Sequence, residues 1–191
     1  MLVIPTVFDN TAVLDIFSKL LDERIILITD VLETRMSANI CAQLMYLDAK
    51  DSKKSITIYI NSPGGSVTAA LAIYDTIQLI KSNVNTVCVG QAASGGALLL
   101  CCGKTRFIAP NAEILIHQPL IAGQGLSGQV TDLKIHIEHL LRVKTNLATI
   151  MARHCKKSLE EMELFLERDY IMTAEEAIKF NLADEILKKH E

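Results

Sequence analysis

Residues 56–80, ITIYINSPGGSVTAALAIYDTIQLI, join two hydrophobic patterns of different period through a short turn. Residues 56–60 are apolar, aromatic or β-branched throughout, which predicts a buried β-strand. From Val67 to Ile80 the apolar residues recur at helical spacing, which predicts a helix after the turn. A strand followed at once by a helix is the unit from which parallel sheets are built, so this stretch predicts the α/β class.

The alternation of strand and helix continues on both sides of this stretch. Strand candidates at residues 25–28 and 86–89 lie about thirty residues before and after it, and residues 35–47 have a helical pattern. Further strands are predicted at residues 106–108 and 114–116, and further helices at about 130–153 and after the capping boxes that begin at Ser158 and Thr173. Because no linker or low-complexity tract interrupts the pattern, we expect one domain over residues 1–191.

The composition gives no reason to expect nucleic acid or membrane as a partner. The chain has 19 basic and 22 acidic residues, a formal charge of −3, and half of its residues are hydrophobic. Such a mixed balance lacks the basic excess of nucleic-acid-binding proteins, and no window of about 18 apolar residues predicts a membrane span.

The cysteines favour a reducing compartment. Their number is five, no Cys-x-x-Cys motif occurs, and Cys88, Cys101 and Cys102 lie in apolar runs that predict buried thiols. No targeting presequence is visible at the N-terminus, which favours a bacterial cytoplasm over an organelle.

The first candidate for chemistry is Ser94, in Ala92-Ala-Ser-Gly-Gly96 between the third strand and an apolar helix at residues 97–102. A serine at a tight strand-to-helix turn presents its hydroxyl above the sheet. The helix N-terminus adds free N–H groups that suit a developing oxyanion. The alternative is that Ser94 only caps the helix, a position where serine is favoured.

The second candidate is the turn Asn61-Ser-Pro-Gly-Gly-Ser66, which leads from a strand into a helix. Its glycines allow positive φ and leave backbone N–H groups bare at a helix start, so the turn could bind an anion or an oxyanion. It lacks the lysine and the spacing of a phosphate loop. A plain turn is the alternative.

Histidines supply the third candidate. His117 ends an apolar strand, at the kind of position where α/β sites collect. His136 and His139 form a His-x-x-His pair on a helix, but no carboxylate or thiol completes a metal site, and we expect no metal. His154 and His190 are predicted to be surface residues.

Taken together and in order, these segments closely resemble the proteolytic subunit of the Clp protease. The resemblance extends from residue 4 to residue 184. Its motifs are Tyr59-Ile-Asn-Ser-Pro-Gly-Gly65, Ala70-Leu-Ala-Ile-Tyr-Asp-Thr76, Gly90-Gln-Ala-Ala-Ser94, Ile116-His-Gln-Pro119 and Glu167-Arg-Asp169. It implies an α/β fold similar to crotonase, a spiral of β-β-α units, with residues 1–15 as an axial segment and residues 122–153 as a handle region with a long helix.

The resemblance implies a serine endopeptidase with a Ser-His-Asp triad. Ser94 matches the nucleophile, His117 the general base and Asp169 the acid that orients the imidazole. Sequence spacing alone does not choose Asp169 over Asp75 or Asp132, and that assignment rests on the resemblance.

Further roles are carried over in the same way. Gly65 and Gly95 match the oxyanion amides, Val67 and Leu120 match residues that pair with the substrate backbone, and Arg168 matches a contact between rings. The resemblance also implies stacked heptameric rings of this chain, unfolded protein substrates and a Clp-family ATPase unfoldase. ATP is used by that partner, so no cofactor is expected in this subunit.

Three segments depart from the pattern of the family. Gly95 stands where methionine is common, so the amide is kept but a side chain near the S1 pocket is lost. Residues 5–15 are shorter than usual and lack a basic cluster, and residues 121–128 are longer. These departures fit a paralogue in a mixed ring as well as an ordinary active subunit.

Two other functions are left open. One is a weakly catalytic or non-catalytic subunit of a mixed ring, against which the complete set of Ser94, His117 and Asp169 argues. The other is a crotonase-type acyl-CoA enzyme, which would need carboxylates near the two glycine turns, and none lies near Ser94 or Gly65 in the sequence.

Overall fold

The structure, a computed structural model, describes residues 4–9, 12–121 and 127–188. The strands within these residues are β1 (Thr6–Asp9), β2 (Ala12–Asp15), β3 (Ile25–Ile28), β4 (Ile56–Ser62), β5 (Val84–Ala93), β6 (Arg106–Ile108), β7 (Glu113–Ile116), β8 (Tyr170–Met172) and β9 (Glu185–Ile186). The helices are α1 (Ile16–Asp22), α2 (Thr34–Lys50), α3 (Val67–Leu79), α4 (Gly95–Cys101), α5 (Val130–Cys155), α6 (Leu159–Leu166) and α7 (Ala174–Phe180).

The predicted α/β class is confirmed. Strands β3, β4, β5, β6 and β9 form a parallel sheet in that order, and helices follow β3, β4 and β5 directly. Strand β7 pairs in parallel with β5, and β8 adds to β7 in the antiparallel direction. Strands β1 and β2 form a separate antiparallel hairpin within the expected axial segment.

Strand β5 is longer than the predicted residues 86–89 and contains a bulge. Ile60 pairs with Cys88, but Ser62 pairs with Ala92, so β5 has two more residues than β4 between these two pairs. Gly90 has φ +77°, and a Cβ there would lie 2.7 Å from Asn61 Oδ1. Only glycine suits this position, and the bulge re-aims the end of the strand.

The core is aliphatic and lies between the sheet and its helices. Both capping boxes are present, with Ser158 and Thr173 accepting from the N3 backbone N–H of α6 and α7. Cys88, Cys101 and Cys102 are buried, as predicted. Burial raises the pKa of the Cys88 and Cys102 thiols to about 12, so neither supplies a thiolate at neutral pH.

The predicted long helix is α5, which packs on the core only near its C-terminal end. Its buried residues are Ala148, Met151, Ala152 and Cys155. Four apolar residues of the preceding turns are exposed: Val130, Ile135, Ile137 and Leu141. Residues 122–126 of the predicted handle region lie outside the described residues.

Arg106 on β6 anchors the C-terminal part of the chain. Its side chain is only 8% exposed and forms an ion pair with Asp184, whose Oδ2 accepts from Arg106 Nε at 2.9 Å. Arg106 Nη1 also donates to Asn181 O at 2.7 Å and to His154 O at 3.2 Å. Hydrogen bonds from Arg106 hold the pKa of the Asp184 carboxyl below its ordinary value.

We expect Asp184→Asn to lower the free energy of unfolding by about 1–3 kcal/mol at pH 7, because it leaves a nearly buried guanidinium without its carboxylate. Since folding lowers the pKa of Asp184, its contribution is complete above the ordinary value of 3.8 and is lost as the pH falls through the folded-state value. Urea unfolding at matched protein concentration should show the difference from wild type shrinking below pH 3.8. Glu138→Gln, at an exposed pair with Lys134, is the control and should change little. A difference that stays constant with pH would contradict the ion-pair account.

Candidate active site

Ser94 lies at a strained turn between β5 and α4. Its φ is 53° and its ψ is −117°, a conformation that non-glycine residues rarely adopt. Its backbone N–H donates to Leu115 O on β7 at 2.8 Å. Ser94 is the N-cap residue of α4 and its backbone carbonyl accepts from Ala97 N and Leu98 N, but its side chain makes no capping hydrogen bond. Its hydroxyl is left for another use.

The glycine turn after β4 packs directly against Ser94. Gly64 has φ +87°, and a Cβ on it would lie 2.6 Å from Ala93 O and 2.7 Å from Ser94 Cβ. Because glycine has no Cβ, the two turns can approach this closely. The backbone N–H groups of Gly65 and Gly95 donate to no acceptor among the described residues. Both residues border one cavity with Ser94.

His117 follows β7 and is paired with Asp169. The distance from His117 Nδ1 to Asp169 Oδ1 is 3.0 Å, and the two side chains are 18% and 68% exposed. The antiparallel pairing of Ile116 with Tyr170 brings the two residues together, since each lies next to one member of that pair. Asp169, which sequence spacing alone could not select, is therefore the aspartate that contacts His117.

Ser94 and His117 line the same cavity. Its other walls are apolar and come from four helices and the loop after β7, with Val67, Ala70, Leu98, Pro119, Met151 and Leu166 among them. Ser94 Oγ makes no hydrogen bond to His117 in the described chain. No carboxylate lines this cavity within the described residues.

The remaining predicted residues lie at the edge of the cavity or beside it. Val67 lines the cavity itself, whereas Leu120 and Arg168 border the adjacent cleft together with His117 and Asp169. Leu120 is 63% exposed, and Arg168 is also exposed.

The other histidines do not belong to the site. His136 and His139 are exposed on α5, and the described residues contain no group of three or more His, Cys, Asp or Glu placed to hold a metal ion. The prediction that His154 is a surface residue is wrong. It is half-buried, its Nε2 lies 3.1 Å from Tyr74 Oη, and burial lowers its pKa. His190 lies outside the described residues.

No helix in the described part of the chain is long and apolar enough to cross a membrane. The family model described as Clp protease matches residues 9–190, which is nearly the whole chain and includes every residue of the candidate site. The chain therefore belongs to the Clp protease family.

Proposed function

We propose that this chain is the proteolytic subunit of a self-compartmentalised, ATP-dependent protease, and that it is a serine endopeptidase acting on unfolded polypeptides. Family membership supports a peptidase of the Clp type in general. The observation that carries the finer proposal is the shared cavity of Ser94 and His117, with Asp169 hydrogen bonded to the far side of the imidazole. This is the order of groups that a serine nucleophile needs.

In the proposed mechanism, His117 acts as the base for Ser94. The hydrogen bond from Nδ1–H to Asp169 keeps the neutral imidazole in the tautomer whose Nε2 has a free lone pair. Nε2 takes the proton of Ser94 Oγ as Oγ attacks the peptide carbonyl, and then gives it to the leaving amine. Water, activated by the same nitrogen, hydrolyses the acyl-enzyme. The Ser94–His117 contact is expected to tighten when substrate binds.

The oxyanion of each tetrahedral intermediate is bound by the amides of Gly65 and Gly95. Supporting this role, both N–H groups lack an internal acceptor among the described residues and both glycines border the cavity of Ser94. Donors of this kind stabilise charge that develops only in the transition state. Val67 and Leu120 flank the extended substrate backbone, and the apolar walls receive an apolar side chain.

Assembly completes the proposal. Family membership implies ring assembly and association with Clp ATPases in general. The apolar residues exposed on α5 and the exposed Arg168 suit contacts between two stacked heptameric rings. The subunit partners are other copies of this chain, with a paralogue as the alternative in a mixed ring. The ATPase unfolds the substrate, so this subunit needs no cofactor of its own. We place the particle in a bacterial cytoplasm.

Ser94→Ala is expected to lower kcat for peptide hydrolysis on the order of 10⁶-fold while the fold and assembly stay intact, because the nucleophile is removed. The measurement is hydrolysis of a fluorogenic peptide, together with mass spectrometry of the chain after reaction with a fluorophosphonate. Ser55→Ala, at an exposed loop serine, is the matched control. Full activity of purified Ser94→Ala, or a label on another residue, would show that Ser94 is not the nucleophile.

The base role of His117 predicts a loss of kcat/KM on the acid side, because a protonated imidazole cannot take the proton of Ser94. Asp169→Asn should lower kcat by about 10²–10⁴-fold, since an amide favours the wrong tautomer. A pH profile of kcat/KM, with light scattering at each pH to follow the particle, checks both. A profile without any fall on the acid side in an assembled particle would count against His117 as the base.

Arg168→Ala should shift double rings towards single rings and lower activity in the same preparation. Arg168 directly precedes Asp169 in the bend between α6 and β8, and both residues border the cleft beside His117. A contact from Arg168 to the other ring would therefore also hold the backbone that carries Asp169. Loss of the ring contact lets the carboxylate move, and a displacement of ~1 Å can cost about 10²-fold in rate. Arg168→Lys should rescue poorly. Sedimentation velocity and peptide hydrolysis on the same preparation test this prediction. Full activity in single rings would show that the triad is independent of ring stacking.

A further inference from the structure

Leu32 lies in the connection between β3 and α2 and is completely buried. Its backbone is hydrogen bonded to the residues before and after Gly65 in the glycine turn. Leu32 N donates to Gly64 O at 2.8 Å, and Ser66 N donates to Leu32 O at 2.8 Å. Gly65 lies between these two hydrogen bonds, so the peptide units on either side of it are held by one residue.

The contact with Gly65 is at backbone distance. A Cβ on Gly65 would lie 2.4 Å from Leu32 O and 2.7 Å from Leu32 N, and the φ of Gly65 is +151°. The direction of the Gly65 N–H is therefore set by the peptide groups of Leu32.

The side chain of Leu32 reaches the other donor. A Cβ on Gly95 would lie 2.9 Å from Leu32 Cδ1 and 3.1 Å from Ala70 Cβ, so these two side chains cover the α-carbon of Gly95. Leu32 does not line the cavity of Ser94. It lies behind the cavity wall and contacts both Gly65 and Gly95, whose amides are the proposed oxyanion donors.

A second link ties the same connection to the glycine turn. Ser62 Oγ donates to Asp30 O at 2.7 Å and accepts from Gly64 N at 3.1 Å. The segment around Leu32 therefore binds the glycine turn through three backbone groups, which are Leu32 N, Leu32 O and Asp30 O. It contacts Gly95 through the leucine side chain. Shortening that side chain would change the second contact and leave the first in place.

We propose that Leu32 is the positioning residue that sets the separation and relative direction of the Gly65 and Gly95 amides, and thereby the binding of the oxyanion. The inference rests on the proposed serine peptidase function. Oxyanion donors act at 2.7–3.1 Å from the charged oxygen, and a shift of about 1 Å in a catalytic group can cost about 10²-fold. Leu32→Ala should therefore lower kcat per active site about 10- to 100-fold, with KM changed by less than about threefold.

The experiment compares wild type, Leu32→Ala and Leu44→Ala, the last a matched deletion at another completely buried leucine. Fluorophosphonate titration counts active sites, so kcat is expressed per labelled Ser94. A peptide boronate measures affinity for a tetrahedral adduct, and the corresponding peptide amide measures ground-state affinity. In Leu32→Ala the boronate Ki should rise in parallel with the fall in kcat/KM, while the Kd of the peptide amide is unchanged. Leu44→Ala should keep wild-type kcat per site.

A double-mutant cycle supplies the second test. Gly95→Ala alone should change kcat, because its methyl group would lie 2.9 Å from Leu32 Cδ1 and the Leu32 side chain must shift to admit it. Leu32→Ala removes that obstacle, so the double variant should be more active than the product of the two single effects predicts. Leu32→Val serves in the same cycle if Leu32→Ala fails to assemble, and its effect should have the same direction.

A wild-type kcat per titrated site in Leu32→Ala would overturn the positioning role of Leu32. A loss of activity that comes only from a smaller number of titratable sites would also overturn it. Additive effects in the cycle would overturn it as well. Failure of the fluorophosphonate to label Ser94 in the wild-type chain would instead overturn the serine peptidase function, and this role with it.

Discussion

The candidate site depends on the way strand β5 pairs along its length. Its first half pairs with β6 and its last residues pair with β7, while β4 lies along the other side of both halves. Between these two halves the register of β5 against β4 shifts, at the bulge around Gly90. Ser94 follows β5 and His117 follows β7, so the two side chains meet because the last residues of β5 are paired with β7.

The strain at Ser94 is supported by packing on every side of the turn. The positive φ of Ser94 is maintained by a hydrogen bond to β7, by the contact with Gly64 and by the buried helix α4. Such strain costs of order 1–3 kcal/mol and persists only where the surroundings over-determine it. The result is that the backbone which bears the Ser94 hydroxyl is held in place by its surroundings.

The members of the proposed triad are held unequally. Ser94 lies on a packed turn and His117 is mostly covered, whereas the side chain of Asp169 is 68% exposed in the single chain. Its neighbour Arg168 and the apolar face of α5 are exposed too. Asp169 is thus the member of the triad that its own subunit covers least, and it lies next to exposed surfaces. Since this family forms rings, these are the surfaces that another subunit would cover.

The α/β class, most strand and helix positions and the candidates Ser94 and His117 could be predicted from the amino-acid sequence, because these follow from local periodicity and from residue types at strand ends. The sequence could not determine which aspartate faces His117, since that depends on the antiparallel pairing of β7 with β8, two strands more than fifty residues apart. It also left open whether the Ser94 hydroxyl caps α4, because that depends on the conformation of the turn in the folded chain. Leu32 gave no signal at all: a buried leucine after a strand looks like any other core residue, and only the tertiary structure places it beneath both glycine turns.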